Sequence, residues 1–164
     1  MMLRTSVAAL MLAAFATQAA ALSCMRPDIA RTYQYAAESE DLYSVVMGEF
    51  VFDESAMPDA VLSSARGFDK DVTEIPARFT GRQLSRNGFA TDYDVEVVLE
   101  VQCLGQWCGG MAEGETVIAF LRHGGETPVL DVTPCGETVF TDPDQAQISM
   151  AISCINGGTC GPAG

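Results

Sequence analysis

The sequence predicts a mainly β fold, a small five-stranded antiparallel barrel or sandwich with short N- and C-terminal helices and a disulfide brace. Three observations predict it. From Asp92 to Cys103 apolar and polar residues alternate, so that Tyr93, Val95, Val97, Leu99, Val101 and Cys103 share one face; a period of two means a strand with one wet side. Asn87-Gly88 stands just before that run and is a tight-turn dipeptide that pairs the strands on either side of it. Six cysteines (Cys24, Cys103, Cys108, Cys135, Cys154, Cys160) follow an export-type leader, and an even count in an oxidising compartment reads as up to three bridges.

The leader comes first. Residues 1–23 hold no acid and one base, Arg4, followed by an apolar run from Val7 to Ala16 and small residues from Thr17 to Ala21. This is the layout of a secretory signal peptide. The apolar run is about ten residues long, whereas a membrane-spanning helix needs roughly 20. Cleavage after Ala21 leaves Leu22 first, and cleavage after Ser23 leaves Cys24 first; both satisfy the small-residue rule. A lipid anchor on Cys24 is the minor alternative, and it would leave an odd five cysteines. The expected location is the periplasm of a bacterium or its exterior. Residues 24–164 read as a single domain, long enough to bury about two thirds of the unfolded surface.

Pro27 opens a helix over Asp28 to Asp41, where Ile29, Tyr33, Ala36 and Ala37 recur at helical spacing. Tyr43 to Asp53 is rich in β-branched and aromatic residues and reads as a strand, with Gly48 marking a bulge or bend. Residues 54–75 are polar and read as a surface loop, with one helical turn around Asp59 to Ala65. Strand character resumes from Ala77 to Arg86, ahead of the Asn87-Gly88 turn. Thr116 to Arg122 is apolar on both faces, as in a central strand, and Val129 to Thr133 follows the turn at His123-Gly-Gly-Glu. Asp142-Pro143 is expected to cap a closing helix to about Ser153, with a cysteine-bearing tail to residue 164. The absence of βαβ alternation is what points to a barrel or sandwich.

Charge narrows the partners. The 22 acids face nine bases, a net −13, and without Arg4 the mature chain has eight bases and −14. Nucleic acid is excluded as a partner, because no basic stripe offsets the repulsion of a polyanion. Asp69/Asp71, Asp92/Asp94 and Asp142/Asp144 lack the loop and distal Glu of a calcium site and read as solvated surface. One histidine and no C-x-x-C favour disulfides over zinc. Cys154 and Cys160 flank glycines and are placed to close a small loop.

No residue is assigned a catalytic, cofactor-binding or metal-binding role. His123, in Arg122-His123-Gly124-Gly125, has no G-x-S-x-G elbow to partner it and reads as an exposed turn residue. Cys103-Leu-Gly-Gln-Trp-Cys108 has four residues between its cysteines rather than the two of exchange enzymes, which suits a structural corner with Trp107 packed on the bridge. Arg78, Arg82 and Arg86 fall on one strand face. They are expected to pair with Asp94, Glu96 and Glu100 of the neighbouring strand; the alternative is a cationic stripe for an acidic glycan or protein.

Cys24, Val46-Met47-Gly48-Glu49-Phe50, Cys108-Gly109 with Gly114, the run Val117 to Leu121, and Leu130 to Cys135 together resemble the netrin-like modules, which share an OB-type barrel with the tissue inhibitors of metalloproteinases. The resemblance spans residues 24 to 135 and implies an OB-like fold. In the inhibitors a free N-terminal Cys amine and carbonyl chelate the protease zinc; here Cys24-Met25-Arg26 replaces the usual Cys-x-Cys start. The chain is also similar to small exported alphaproteobacterial proteins with Cys-x-x-Pro (Cys24 to Pro27), the Cys103 to Gly109 corner and Gly157-Gly158-Thr159-Cys160, a likeness that implies no activity. The expected function is non-enzymatic binding of a protein or glycan in the cell envelope, with no transmembrane segment after cleavage. The alternatives are a small periplasmic hydrolase with a carboxylate site and a metalloproteinase-inhibitor-like module.

Overall fold

A computed structural model describes residues 22–58 and 70–161. The leader through Ala21 and the helical turn expected around Asp59 to Ala65 lie outside the described residues. Helix α1 (Ile29–Glu38) starts where Asp28 accepts the Arg31 backbone N–H at 3.0 Å, satisfying one of the donors a helix leaves open at its start. It stops three residues short of the expected Asp41. Strand β1 (Leu42–Phe52) follows, then a 3-10 turn (Glu54–Ala56), β2 (Lys70–Ser85) and β3 (Gly88–Leu104). The two-residue β4 (Trp107–Cys108), β5 (Val117–His123), β6 (Val129–Val132), β7 (Val139–Thr141) and α2 (Gln145–Ile155) complete the chain.

The β2–β3 hairpin forms around Arg86-Asn87, with Ser85 opposite Gly88 and Gly88 at φ 85°. Glycine takes that left-handed backbone without steric cost. The predicted alternation along β3 holds, since Val97, Leu99, Val101 and Cys103 are buried and the intervening side chains face outward.

β1 pairs antiparallel with β2 through Val46 to Phe52 and with β5 through Leu42 to Gly48. With β2–β3, β3–β6 and β5–β6 pairing as well, five strands form a ring in the order β1-β2-β3-β6-β5. The β3–β6 pair is parallel, so the sheet is mixed, which corrects the antiparallel expectation. The reason is parity: strand directions cannot alternate all the way round a ring of five, and one neighbouring pair has to run the same way. β7 adds to the sheet beside β5, and β4 pairs with β3.

Inside the ring lies a core that includes Phe50, Phe79, Leu99, Leu121 and Leu130, all essentially inaccessible. A second core lies outside, where Ile29, Val45, Ile118, Phe120, Phe140 and Ala151 pack the two helices onto β1, β5 and β7. β5 therefore has apolar residues on both faces, as the unbroken run from Val117 to Leu121 predicts. Burial of this kind contributes roughly 25 cal/mol per Å² of apolar surface.

Gly48 lies opposite Gly81. A Cβ on Gly48 would fall 2.6 Å from the Gly81 Cα and collide with the Thr80 carbonyl, while the Phe79 ring fills the space beside both. Gly48 thus serves a close approach of two backbones. The register shift falls instead in the β2–β3 hairpin, at Gln83/Leu84.

Three disulfides join all six cysteines: Cys24–Cys135, Cys103–Cys108 and Cys154–Cys160. The sulfur of Cys24 is taken by Cys135. Among the described residues no helix is long and apolar enough to cross a membrane.

Two boundaries differ from expectation. β2 begins at Lys70, not Ala77, because Pro76 sits just beyond the reach of β1, whose pairing ends at Phe52 opposite Ala77; a proline is tolerated where a strand has a free side. The cap of α2 is Asp144, not Asp142. Asp144 and Gln147 form a reciprocal capping box, while Asp142 turns the chain at φ 45° and donates its N–H to the Thr116 carbonyl at 3.0 Å.

Truncating an interior ring, Phe79→Ala, is expected to cost about 3–5 kcal/mol by cavity formation. Gly48→Ala, which adds a single methyl, should be comparably harmful because it forces two backbones apart. Urea denaturation of both variants checks this, and a Gly48→Ala protein as stable as the parent would contradict the close approach.

Candidate binding cleft

Strand register sets the floor of a cleft on the outer face of the ring. Tyr43 on β1 pairs with Arg122 on β5, Arg122 with Val129 on β6, and Glu100 on β3 with Asp131 on β6. All of these polar side chains leave the outer face of the ring. The Arg122 guanidinium donates from Nε to Asp131 Oδ2 at 3.0 Å, and from Nη2 to Asp131 Oδ1 at 3.3 Å and Glu100 Oε2 at 3.2 Å. Gln102 Nε2 donates to the same Asp131 Oδ1 at 3.3 Å. The forked geometry matches a planar cation to a planar anion, the strong form of charge-assisted hydrogen bond.

Arg122, Asp131 and Glu100 expose only 24%, 20% and 28% of their side chains. The hydrogen bond to Asp131, followed by the charges of Asp131 and Glu100, raises the pKa of Arg122 still further above its ordinary value. Burial, then the nearby Tyr35 and Asp131, pushes the Tyr43 phenol above its ordinary value against the pull of Arg122. Tyr43 is therefore a neutral O–H at physiological pH.

Three walls rise around this floor and enclose a cleft of about 520 Å³. One is the α1 face that carries Arg31 and Tyr35, the second is the segment Met25 to Pro27, and the third is the β6–β7 connection with Thr133 and Glu137. The Cys24–Cys135 bridge ties the second wall to the third. Thr32 Oγ1 donates to the Glu137 carbonyl at 2.7 Å and so fastens the first to the third. Thr133 Oγ1 donates to Glu137 Oε2, and Thr138 Oγ1 to the Asp131 carbonyl.

A second polar group closes one end of the ring. Ser44, only 8% exposed, holds its Oγ 2.8 Å from His123 Nε2 and accepts from Gln83 Nε2 at 3.0 Å. His123 is thus the half-buried last residue of β5, not an exposed turn residue, which corrects the expectation. Its ring supplies a partner that a buried hydroxyl needs.

The other residues singled out in the sequence separate. Arg78 pairs with Asp94 and Glu96, each at 2.7 Å, and Arg82 approaches Asp92 at 3.9 Å, so the expected cross-strand pairing holds for Arg78. Glu100, expected to join that stripe, pairs with Arg122 instead. The cysteine corner is a short hairpin in which Cys103 lies opposite Cys108 and Leu104 opposite Trp107. Among the described residues no three His, Cys, Asp or Glu side chains converge on a metal position.

Sequence reasoning did not pick out Arg122, Asp131, Tyr43 or Tyr35 as a group. A faint signal was present: Asp131 is the lone charge in β6, and Arg122 is the lone charge in β5. No family model, curated protein or solved structure matches the chain.

Arg122→Ala is expected to destabilise the fold by about 1–3 kcal/mol, because it leaves two neighbouring carboxylates partly buried without their cation. Urea denaturation should show this, with Arg122→Lys recovering part of the loss. Tyr33, raised by burial, and Tyr43 are both expected to ionise above pH 10.0. The unfolded chain then gives up those protons first, so stability should decline as pH rises past 10.0 and be unaffected by this linkage below it. Phenolate absorbance of the parent and of the Tyr33→Phe/Tyr43→Phe double variant checks the assignment; a late phase that survives in the double variant would contradict it.

Proposed function

We propose that this chain is an exported, non-enzymatic binding module with an OB-like barrel, and that it takes a protein or glycan of the cell envelope in the Arg122 cleft. The observation that carries the reading is the filled ring. Phe50, Phe79 and Leu99 occupy its interior, so a ligand has to be met on the outer face, where the cleft lies. Five strands closed with one parallel pair support the OB-like assignment, as does the netrin-like order of cysteines and glycines. Three disulfides within about 140 residues support export, since such bridges persist in oxidising compartments. The cleavage that frees the chain leaves Leu22 or Cys24 first; only the second frees the Cys24 amine that a metalloproteinase-inhibitor mode requires.

The hydrolase reading has one observation in its favour, because Asp131 and Glu137 both border the cleft. Asp131, however, accepts from Arg122 and Gln102, and Glu137 accepts from Thr133. Carboxylates engaged as acceptors orient a ligand better than they deliver a proton to it.

The test is saturable binding of the purified exported protein to arrays of envelope glycans and envelope proteins, with any turnover of the bound partner followed in parallel. At least one partner is expected to bind unaltered, about tenfold more weakly to Cys24→Ser/Cys135→Ser, whose cleft walls are no longer tied together. Turnover of the partner, no saturable binding on either array, or binding indifferent to the bridge would contradict the proposal.

A further inference from the structure

We infer that the Arg122 cleft is a saccharide site that takes an uncharged oligosaccharide; the inference rests on the binding-module reading above. Four features of the cleft converge on this chemistry.

The first is aromatic surface held open. Tyr35 is 67% exposed and Met25 69% exposed, and both stand at the rim, above the half-buried Tyr43. A large ring kept in water at the border of a cleft gains little for folding. It does offer a flat apolar face to the C–H side of a pyranose, with a polar edge left for its hydroxyls.

The second is the mix of polar groups. Sugar hydroxyls both donate and accept, and a site for them needs both kinds of partner in fixed positions. Here Tyr43, Gln102 and Arg122 supply donors and Asp131 and Glu137 supply acceptors. Hydrogen bonds among Arg122, Gln102 and Asp131, and from Thr133 to Glu137, hold four of these five in place before any ligand arrives, which reduces the entropy lost on binding. Arg122 keeps two further N–H groups on Nη1 beyond those given to Asp131 and Glu100.

Charge is the third. The cleft border carries three bases and four acids, so neither a polyanion nor a polycation is favoured locally. The chain as a whole, at −13, repels anions at longer range. A volume of about 520 Å³ lies within the range of small-ligand sites.

The fourth feature disfavours an extended peptide. Peptides commonly bind by adding a strand to an exposed sheet edge. Each strand flooring this cleft already has a ladder partner there: Tyr43 lies opposite Arg122, Arg122 opposite Val129, and Asp131 opposite Glu100. Part of the floor's backbone is engaged in these ladders, and the side chains that border the cleft remain for recognition.

The test uses the exported protein with its disulfides intact, titrated by calorimetry with maltotetraose, cellotetraose and the N-acetylglucosamine tetramer. Tetragalacturonate and a mixed-sequence tetrapeptide are run alongside. At least one neutral tetrasaccharide is expected to bind one-to-one, with affinity little changed on adding about 0.5 M salt. Tyr35→Ala should weaken that binding about tenfold and Tyr35→Trp should restore it, as a stacking contact requires. The inference is overturned if no neutral sugar binds, if tetragalacturonate binds more tightly than all of them, or if binding ignores Tyr35→Ala. Binding of the peptide alone would also overturn it while leaving the binding-module reading in place. Cleavage of a bound sugar would overturn that reading itself.

Discussion

Pairing of β1 with β5 as well as with β2 is the interaction on which the rest of this structure depends. Val46 lies opposite both Gln83 and Ala119, so a single strand joins the β2–β3 hairpin to the β5–β6 pair. Without that second ladder the chain would be an open sheet with two bare edges, a state that invites association with other chains. With it, Phe50, Phe79 and Leu99 become fully enclosed. The closure depends on two facing glycines, since only a residue without a side chain lets β1 and β2 approach where the ring bends.

The same closure builds the outer face. Tyr43 is brought beside Arg122 by β1–β5 pairing, and Asp131 beside Glu100 by the parallel β3–β6 pair. The floor of the cleft is therefore a by-product of ring register, and its precision comes from backbone ladders. The walls are held differently, by the Cys24–Cys135 bridge and the hydroxyl of Thr32. The floor thus rests on ladders within the ring, and the walls on tethers outside it.

Much of this architecture was legible in the sequence. Period-two alternation located β3, the Asn-Gly pair located its hairpin, and the doubly apolar run from Val117 to Leu121 identified a strand buried on both faces. What misled was parity, although a closed ring of five strands already implies one parallel pair. The polar composition of residues 70–75 also misled, because that stretch reads as loop unless one knows that it pairs with β3. Asp142 and Asp144 both suit a helix start by composition, and only the backbone shows which of them has extended dihedrals. The cleft was the least legible part: Tyr43, Glu100, Arg122 and Asp131 come from four strands, and no local spacing brings them together. His123 was misread for the same reason, its partner Ser44 lying 79 residues away.

The central claim, that β1 closes the ring, is tested most directly by solution NMR of the oxidised protein. Cross-strand contacts from Val46 to both Gln83 and Ala119 are predicted in the same molecule, together with slow amide exchange along β1 on both sides of Gly48. Contacts to Gln83 alone, with rapid exchange of the β5 amides from Val117 to Leu121, would mean an open sheet and contradict the account.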